Sequence, residues 1–355
     1  MKTRQTTISA LAAHTAAGTT IIPIRVQDPI SRLIIPFGVT VGANARLEHH
    51  VALFSKIEIV DGSDVLMSLS GLQADGICRL DHIGNAAMFS DCNRSAEAWG
   101  NIIIDFGRYL YDKQLAFVPT KYKNPQIQLT TSWTTVEAAC TADEFEVLAL
   151  IMEGLGSSPI GFLSKKELKS WVAASGAWEY TQLPKDYVYR RLFIQAKTKL
   201  VGVGAHWSRA LLQEDNYKRI PFDTLIDDQV ALNASEYGEI TEGVGGSNVS
   251  SATYPVFAAP CYGASMPCNL SPDILAVGIA VQDGGYYNAI SASGVNSWRG
   301  NVHGLVPQGM VAFELGPRDV IEDWYDPSQV GNLQLEVLGA GAHTIRLVTE
   351  QLRTN

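Results

Sequence analysis

The chain of 355 residues is poor in the features that usually announce chemistry. It has only five cysteines, Cys78, Cys92, Cys140, Cys261 and Cys268, odd in number and widely spaced. That pattern reads as reduced thiols rather than a disulfide framework. Charged residues make up 18% of the chain and the formal net charge is −9, with no cluster of Lys and Arg. A duplex-binding surface, which needs phosphate-neutralising cations, is therefore not expected. The densest basic stretch, Lys165-Lys166 with Lys169, reads as the solvated face of a helix. No apolar run is long enough to span a bilayer as a helix. Met1 to Thr20 places Lys2 and Arg4 before Ile8–Ala13, but this apolar run stops at His14, too short for a signal peptide. It is expected as a mobile arm or a short surface helix.

Motifs for catalysis and metal binding are equally scarce. His49 and His50 are adjacent on an expected strand, so their rings should point to opposite faces and cannot share an ion. His14, His82, His206, His303 and His343 show no ligand spacing. Asp61 and Asp64 lack the ligand pattern of a calcium loop and suit a turn better. Cys261 and Cys268 are too far apart for a CxxC unit. There is no Gly-x-Ser-x-Gly elbow and no phosphate loop. Gly202-x-Gly204 lacks a third glycine, and Gly339-Ala340-Gly341 reads as the last hairpin turn. Carboxylate pairs for glycoside hydrolysis could be assembled from Glu58, Asp61, Glu322 and Asp323, but a β protein with 36 acidic residues offers such pairs in any case. Tyr286-Tyr287 and Trp298 could stack on sugar, or pack loops and subunit contacts. The sequons at Asn93, Asn233, Asn248 and Asn269 read as chance matches. No catalytic, cofactor-binding or metal-ligating residue is assigned, and no cofactor is expected.

What is present is β-structure, organised around one stretch. Ile57 and Ile59 alternate with polar neighbours, Asp61-Gly62-Ser63-Asp64 interrupts, and Val65, Met67 and Leu69 resume the alternation. Period-two patterning on both sides of an Asp-Gly pair predicts a hairpin. Ser70 and Gln73 then form a capping box for a helix carrying Leu72, Leu80 and Ile83. The order recurs from Trp207 to Gly238: an extended run, a turn at Glu214-Asp215-Asn216, Tyr217–Ile220, and a helix expected to be capped by Asp223. Downstream, Phe106-Gly107-Arg108 resembles Leu315-Gly316-Pro317-Arg318, and Gln126–Leu129 resembles Leu333–Glu336. The distance between the copies widens after the helix. The second copy therefore carries extra residues in its Gly-, Ser- and Pro-rich stretches, 238–272 and 284–304. Such insertions cost little closure entropy and are usually functional or interfacial.

Other strands are predicted at Ile21–Val26, Leu33–Val41, Ala98–Phe106, Leu115–Val118, Gln126–Thr131, Phe145–Met152 and Val188–Ala196. Short strands separated by Gly, Pro, Asn and Asp indicate an all-β sandwich or barrel. The expected division is an N-terminal arm at 1–20, a first domain at 21–154, a linker at 155–184 and a second domain at 185–355. The linker follows the breaker cluster Gly154–Pro159, with a short helix Lys165–Ala174 capped by Ser164 and anchored by Trp171 and Trp178.

Tandem β-domains, each with a helix after its fourth or fifth strand, resemble a double jelly-roll major capsid protein. That lineage includes the adenovirus hexon and the coat proteins of tailless, membrane-containing icosahedral phages. The residues carrying the resemblance are Ile57–Ile83, its echo Leu211–Asn233, and the second-domain opening Leu183-Pro184-Lys185-Asp186-Tyr187-Val188-Tyr189-Arg190-Arg191-Leu192. It implies two eight-stranded jelly rolls, a homotrimer of pseudo-hexagonal outline tiling a virion shell, and no enzymatic activity. It further implies partners at the vertices, minor capsid proteins, lipid contact through the basic N-terminal arm, and synthesis in a host cytoplasm. The alternative is a carbohydrate-active or carbohydrate-binding tandem β-sandwich.

Overall fold

The computed structural model describes residues 1–42, 46–82, 88–91, 97–247, 253–265, 283–290 and 297–354. The first unit contains β1 (Lys2–His14), β2 (Thr19–Pro23), β3 (Ile30–Thr40), β4 (Phe54–Asp61) and β5 (Asp64–Leu69), then α1 (Gly71–Asp81). It continues with β6 (Met88–Asp91), β7 (Glu97–Asp105), β8 (Pro125–Thr131), α2 (Trp133–Val136) and β9 (Ala142–Glu153). The second contains β10 (Gly161–Val172), β11 (Trp178–Gln182), β12 (Val188–Gln195), β13 (Trp207–Glu214), β14 (Arg219–Leu225) and α3 (Ile226–Tyr237). There follow β15 (Ile240–Ser247), β16 (Thr253–Phe257), β17 (Pro260–Ser265), β18 (Tyr286–Ile290) and β19 (Ser297–Pro307). β20 (Met310–Glu314), β21 (Leu333–Gly339) and β22 (Thr344–Thr354) complete it.

The strand orders reveal a duplication. The first unit pairs β1-β9-β3-β7 and β2-β8-β4-β5; the second pairs β10-β22-β12-β20 and β11-β21-β13-β14. Each is an eight-stranded jelly roll of two facing four-stranded sheets, and in each the helix follows the fifth strand. Alternation drives the burial: β9 reads half-buried, buried, half-buried along most of its length, as a strand with one core face must. The two inner faces fill separate cores, one around Phe37, Phe54, Ile57 and Phe145, the other around Trp207, Leu212, Ile345 and Leu347.

The predicted hairpin is present, with Asp61 paired to Asp64 and Gly62 at φ +61°, which a glycine adopts without a Cβ penalty. Ser70 and Gln73 form the predicted capping box, worth about 1 kcal/mol. The echo hairpin turns through Asp215, Asn216 and Tyr217, all at positive φ, with Asp215 Oδ1 accepting from the Asn332 amide at 2.8 Å.

Several expectations are corrected. Residues 2–14 are neither a mobile arm nor a helix: they form β1, paired antiparallel along β9. Lys165–Ala174 is not a linker helix, because Gly161–Val172 is strand β10, paired with β22, and Ser164 donates to Leu66 O at 2.6 Å instead of capping. Asp223 does not cap the second helix; it lies in β14, bound by Arg209, and the helix begins after Leu225 with no side-chain cap. Leu115–Val118 makes isolated bridges rather than a strand. Gly339–Gly341 turns from one sheet of the sandwich to the other, since β21 and β22 belong to different sheets. The stretches 238–272 and 284–304 are not wholly loop: β15 to β19 occupy much of them, pairing as β17-β19-β15-β6 and β16-β18. Ile83, Cys92, Cys268, Asn93, Asn248 and Asn269 lie outside the described residues. Among the described cysteines, Cys78, Cys140 and Cys261 are free thiols, and Asn233 is bonded through its side chain to Ala312 N and O.

Candidate functional site: the seam between the two jelly rolls

The two units join edge to edge. β5 and β10 meet in parallel at Ser68 and Lys166, merging a sheet from each unit into one of eight strands. The outward face of β12, β20 and β22 is thereby covered: Phe193, Met310, Ala312 and Val348 are fully buried and belong to the first unit's core cluster together with Ile77 of α1.

Ionic groups close the seam. Arg191 contacts Glu350 (Nε–Oε2 2.5 Å) and Asp81 at the end of α1 (Nη2–Oδ1 2.5 Å). Arg190 Nη1 lies 3.1 Å from Glu350 and 3.5 Å from Asp81, and Lys165 Nζ lies 3.6 and 3.7 Å from the same carboxylates. Lys165 also donates to Asp105 O at 2.7 Å. Each of these side chains is at most 5% exposed. Burial alone would raise the Asp81 carboxyl, but Arg191, Lys165, Arg190 and Arg318 outweigh it and hold it well below the carboxylate range. Glu350 is lowered against burial by Arg191, Arg190 and Lys165. The carboxylates stay ionised and the cluster works as a clasp.

A second buried cluster uses the insertion of the second unit. Glu242 of β15 is fully buried and accepts from Arg79 Nη2 at 2.8 Å, from the Ala259 amide at 2.6 Å, and lies 3.0 Å from His49 Nε2. Arg79 also binds Asp75 at 2.9 Å, and Gln308 donates to Asp75 at 2.6 Å. His49 and His50 do not lie on a strand: His49 caps a 3-10 turn spanning His50–Leu53, and the rings sit 4.2 Å apart. Burial pushes both imidazoles well below the usual histidine range, so they are neutral at pH 7.

One arrangement superficially resembles a Cys-His-Asp triad: Cys78 Sγ is 3.2 Å from His82 Nδ1, and His82 Nε2 is 3.3 Å from Asp105. The hydrogen bonds assign it otherwise. Nδ1–H donates to Cys78 O at 2.8 Å and Nε2 accepts from Arg32 at 2.5 Å, so no ring nitrogen is left as a base for sulfur. Burial also raises the Cys78 thiol well above its ordinary pKa. A buried, protonated thiol is a poor nucleophile.

The other expected acids are dispersed. Glu58 pairs with Lys56 at 2.8 Å on β4, and Asp61 accepts from the Lys123 and Asn124 amides at the hairpin. Glu322 and Asp323 lie on a 3-10 turn of the second unit. A groove of about 720 Å³ between β1 and β2 has a single carboxylate, Asp28, 3.5 Å from Arg4. It offers no acid–base pair for hydrolysis. Among the described residues, no three His, Cys, Asp or Glu side chains cluster as metal ligands, and no helix is long and apolar enough to cross a membrane.

Sequence reasoning missed the clasp. The sequence pattern puts Lys165 on a solvated helix face, whereas in the fold it is 2% exposed. The available signal was Arg190-Arg191 inside an apolar strand: neighbours on a strand face opposite ways, so at least one must be enclosed.

No family model matches the chain, and no curated protein is similar to it in sequence. Solved structures are similar in shape. The STIV MCP superposes with a TM-score of 0.62 at 11% identity, over 100% of this chain and 98% of that one. The major capsid protein P2 from Bacteriophage PM2 gives 0.58 at 9%, over 100% and 99%. PBCV-1 VP54 gives 0.57 at 9%, over 99% and 93%. From end to end, this chain has the double jelly-roll fold of those capsid proteins.

Proposed function

We propose that this chain is a structural coat subunit, a major capsid protein whose copies associate into pseudo-hexagonal trimers and tile an icosahedral shell. The observation that carries the reading is the duplication itself. Two jelly rolls of matching strand order, joined across a seam of buried charge, form one two-wedge body, and three such bodies supply six similar wedges. End-to-end likeness to three capsid proteins supports it, and the polar clusters are used for internal locking rather than presented to a substrate. The carbohydrate reading has no such support, because its carboxylates are dispersed.

The virion is the proposed location, with synthesis in a host cytoplasm, and vertex and minor capsid proteins are the proposed further partners. Where the shell overlies a membrane, the basic end of β1 would contribute about 1 kcal/mol per cation toward anionic headgroups. Arg4 is already engaged by Glu153 at 2.5 Å, so this contact is a weak one. Negative-stain electron microscopy of the purified protein tests the reading. Six-lobed particles are expected; isolated two-lobed particles at micromolar concentration would overturn it.

A further inference from the structure

The duplication makes the seam a template for a joint between copies. β3 and β12 carry the same register shift, between Ile30 and Arg32 and between Tyr189 and Arg191. Arg32 pairs with Leu150 and Asp105 where Arg191 pairs with Glu350 and Glu314. Two residues on, Ile34 pairs with Leu148 and Ile103 where Phe193 pairs with Val348 and Ala312. Phe193, Val348 and Ala312 are the apolar face that the first unit covers. Their counterparts Ile34, Leu148 and Ile103 are also apolar, yet lie half-exposed with no third unit over them.

The helices show the complementary half. α1 is buried along almost its whole length, with Ile77 in the seam at 2% exposure. α3 buries only Ile226, Gln229, Val230 and Tyr237. Counting from each helix start, Leu232 stands where Ile77 does and is 58% exposed; Glu236, also exposed, stands where Asp81 does. Around Leu232 the edge strand β14 leaves Ile220 45% and Leu225 52% exposed. The chain thus carries both halves of its own seam again on opposite flanks, their apolar residues uncovered and Arg32 held within its own unit by Asp105 at 2.6 Å.

We propose that α3 and β14 of one copy dock on the outward face of β3, β9 and β7 of the next. Leu232 lies against Ile34 and Leu148, Glu236 faces Arg32, and β14 lies alongside β1 as β5 lies alongside β10. The joint is head-to-tail, since two different patches meet, and with the three-fold rotation of the coat reading such a contact closes into a ring. It rests on the coat reading only for the number of copies. Leu150 replaces Glu350 at this joint, so it is less ionic than the internal seam and suited to assembly from folded subunits.

Two variants test it, Leu232→Glu on the helix side and Leu148→Glu on the sheet side, with light scattering as readout. Wild type is expected near three times 38.5 kDa. Each variant alone is expected as a monomer, its association weakened more than tenfold. An equimolar mixture is expected to form dimers, because one intact half from each variant still fits. Should Leu148→Glu lower the melting temperature, Ile34→Glu replaces it. Wild-type mass retained in either variant, or a mixture that stays monomeric, overturns the joint alone. A monomeric wild type overturns the coat reading with it.

Discussion

Replacing Asp81 by Asn removes one of two anions that face Arg191, Arg190 and Lys165 across the seam. At separations near 4 Å and an effective dielectric of about 20, each attraction is about 4 kcal/mol. The gain is reduced by repulsion from Glu350 and by several kcal/mol of desolvation. Mutations that strand a buried charge typically cost about 3–5 kcal/mol, and that is the expected loss for Asp81→Asn. Chemical denaturation should register it as a lower midpoint. Acid dependence provides a second readout. Asp81 is held below the carboxylate range in the folded chain, so its contribution is complete above the unfolded value of about 4. It is lost as pH falls through the lower folded value, and Asp81→Asn should flatten that decline. A change below about 0.5 kcal/mol, the size of an ordinary surface substitution, would refute the clasp.

Further outcomes follow from particular residues. Gly71→Ala should unfold or grossly destabilise the chain, because a Cβ there would sit 1.9 Å from Val51 O; a normal melting curve would contradict this. Ser70→Ala should cost about 1 kcal/mol in denaturant, with no change if the capping box carries nothing. His49 and His50 are neutral when folded, so stability should fall as pH drops below about 6.5, by at most about 1.4 kcal/mol per pH unit for each. His49→Gln should reduce that slope, and an unchanged slope would exclude His49 as its source. Cys140, half-buried with its thiol pushed up to about 11, should react with a thiol reagent before buried Cys78 and Cys261. Equal rates in the folded chain would contradict the burial.

Local chemistry was legible in the sequence wherever it decides structure locally. The Asp61–Asp64 turn, the Ser70–Gln73 box and the alternation of β4, β5 and β8 follow from backbone preference and period-two burial. Their recurrence near residue 207 pointed to the duplication. The failures share a cause: they concern residues whose environment is set by distant chain. Lys2–His14 carries no strong strand pattern, and β9 makes it a strand. Lys165 to Val172 has mixed polarity because one end of β10 is enclosed by the first unit while the other is open. Asp223 resembles a cap, but Arg209 across the hairpin claims its carboxylate. The clasp unites Asp81, Lys165, Arg191 and Glu350 from four elements, and no local window contains two of its opposite charges together.

The central claim is that this chain is built to associate with copies of itself. Mass in solution by light scattering, at moderate ionic strength and over a range of concentrations, tests it most directly. A stable species near three times 38.5 kDa, with larger sheets or shells at higher concentration, is the predicted result. A monomer that persists at high concentration would contradict the account.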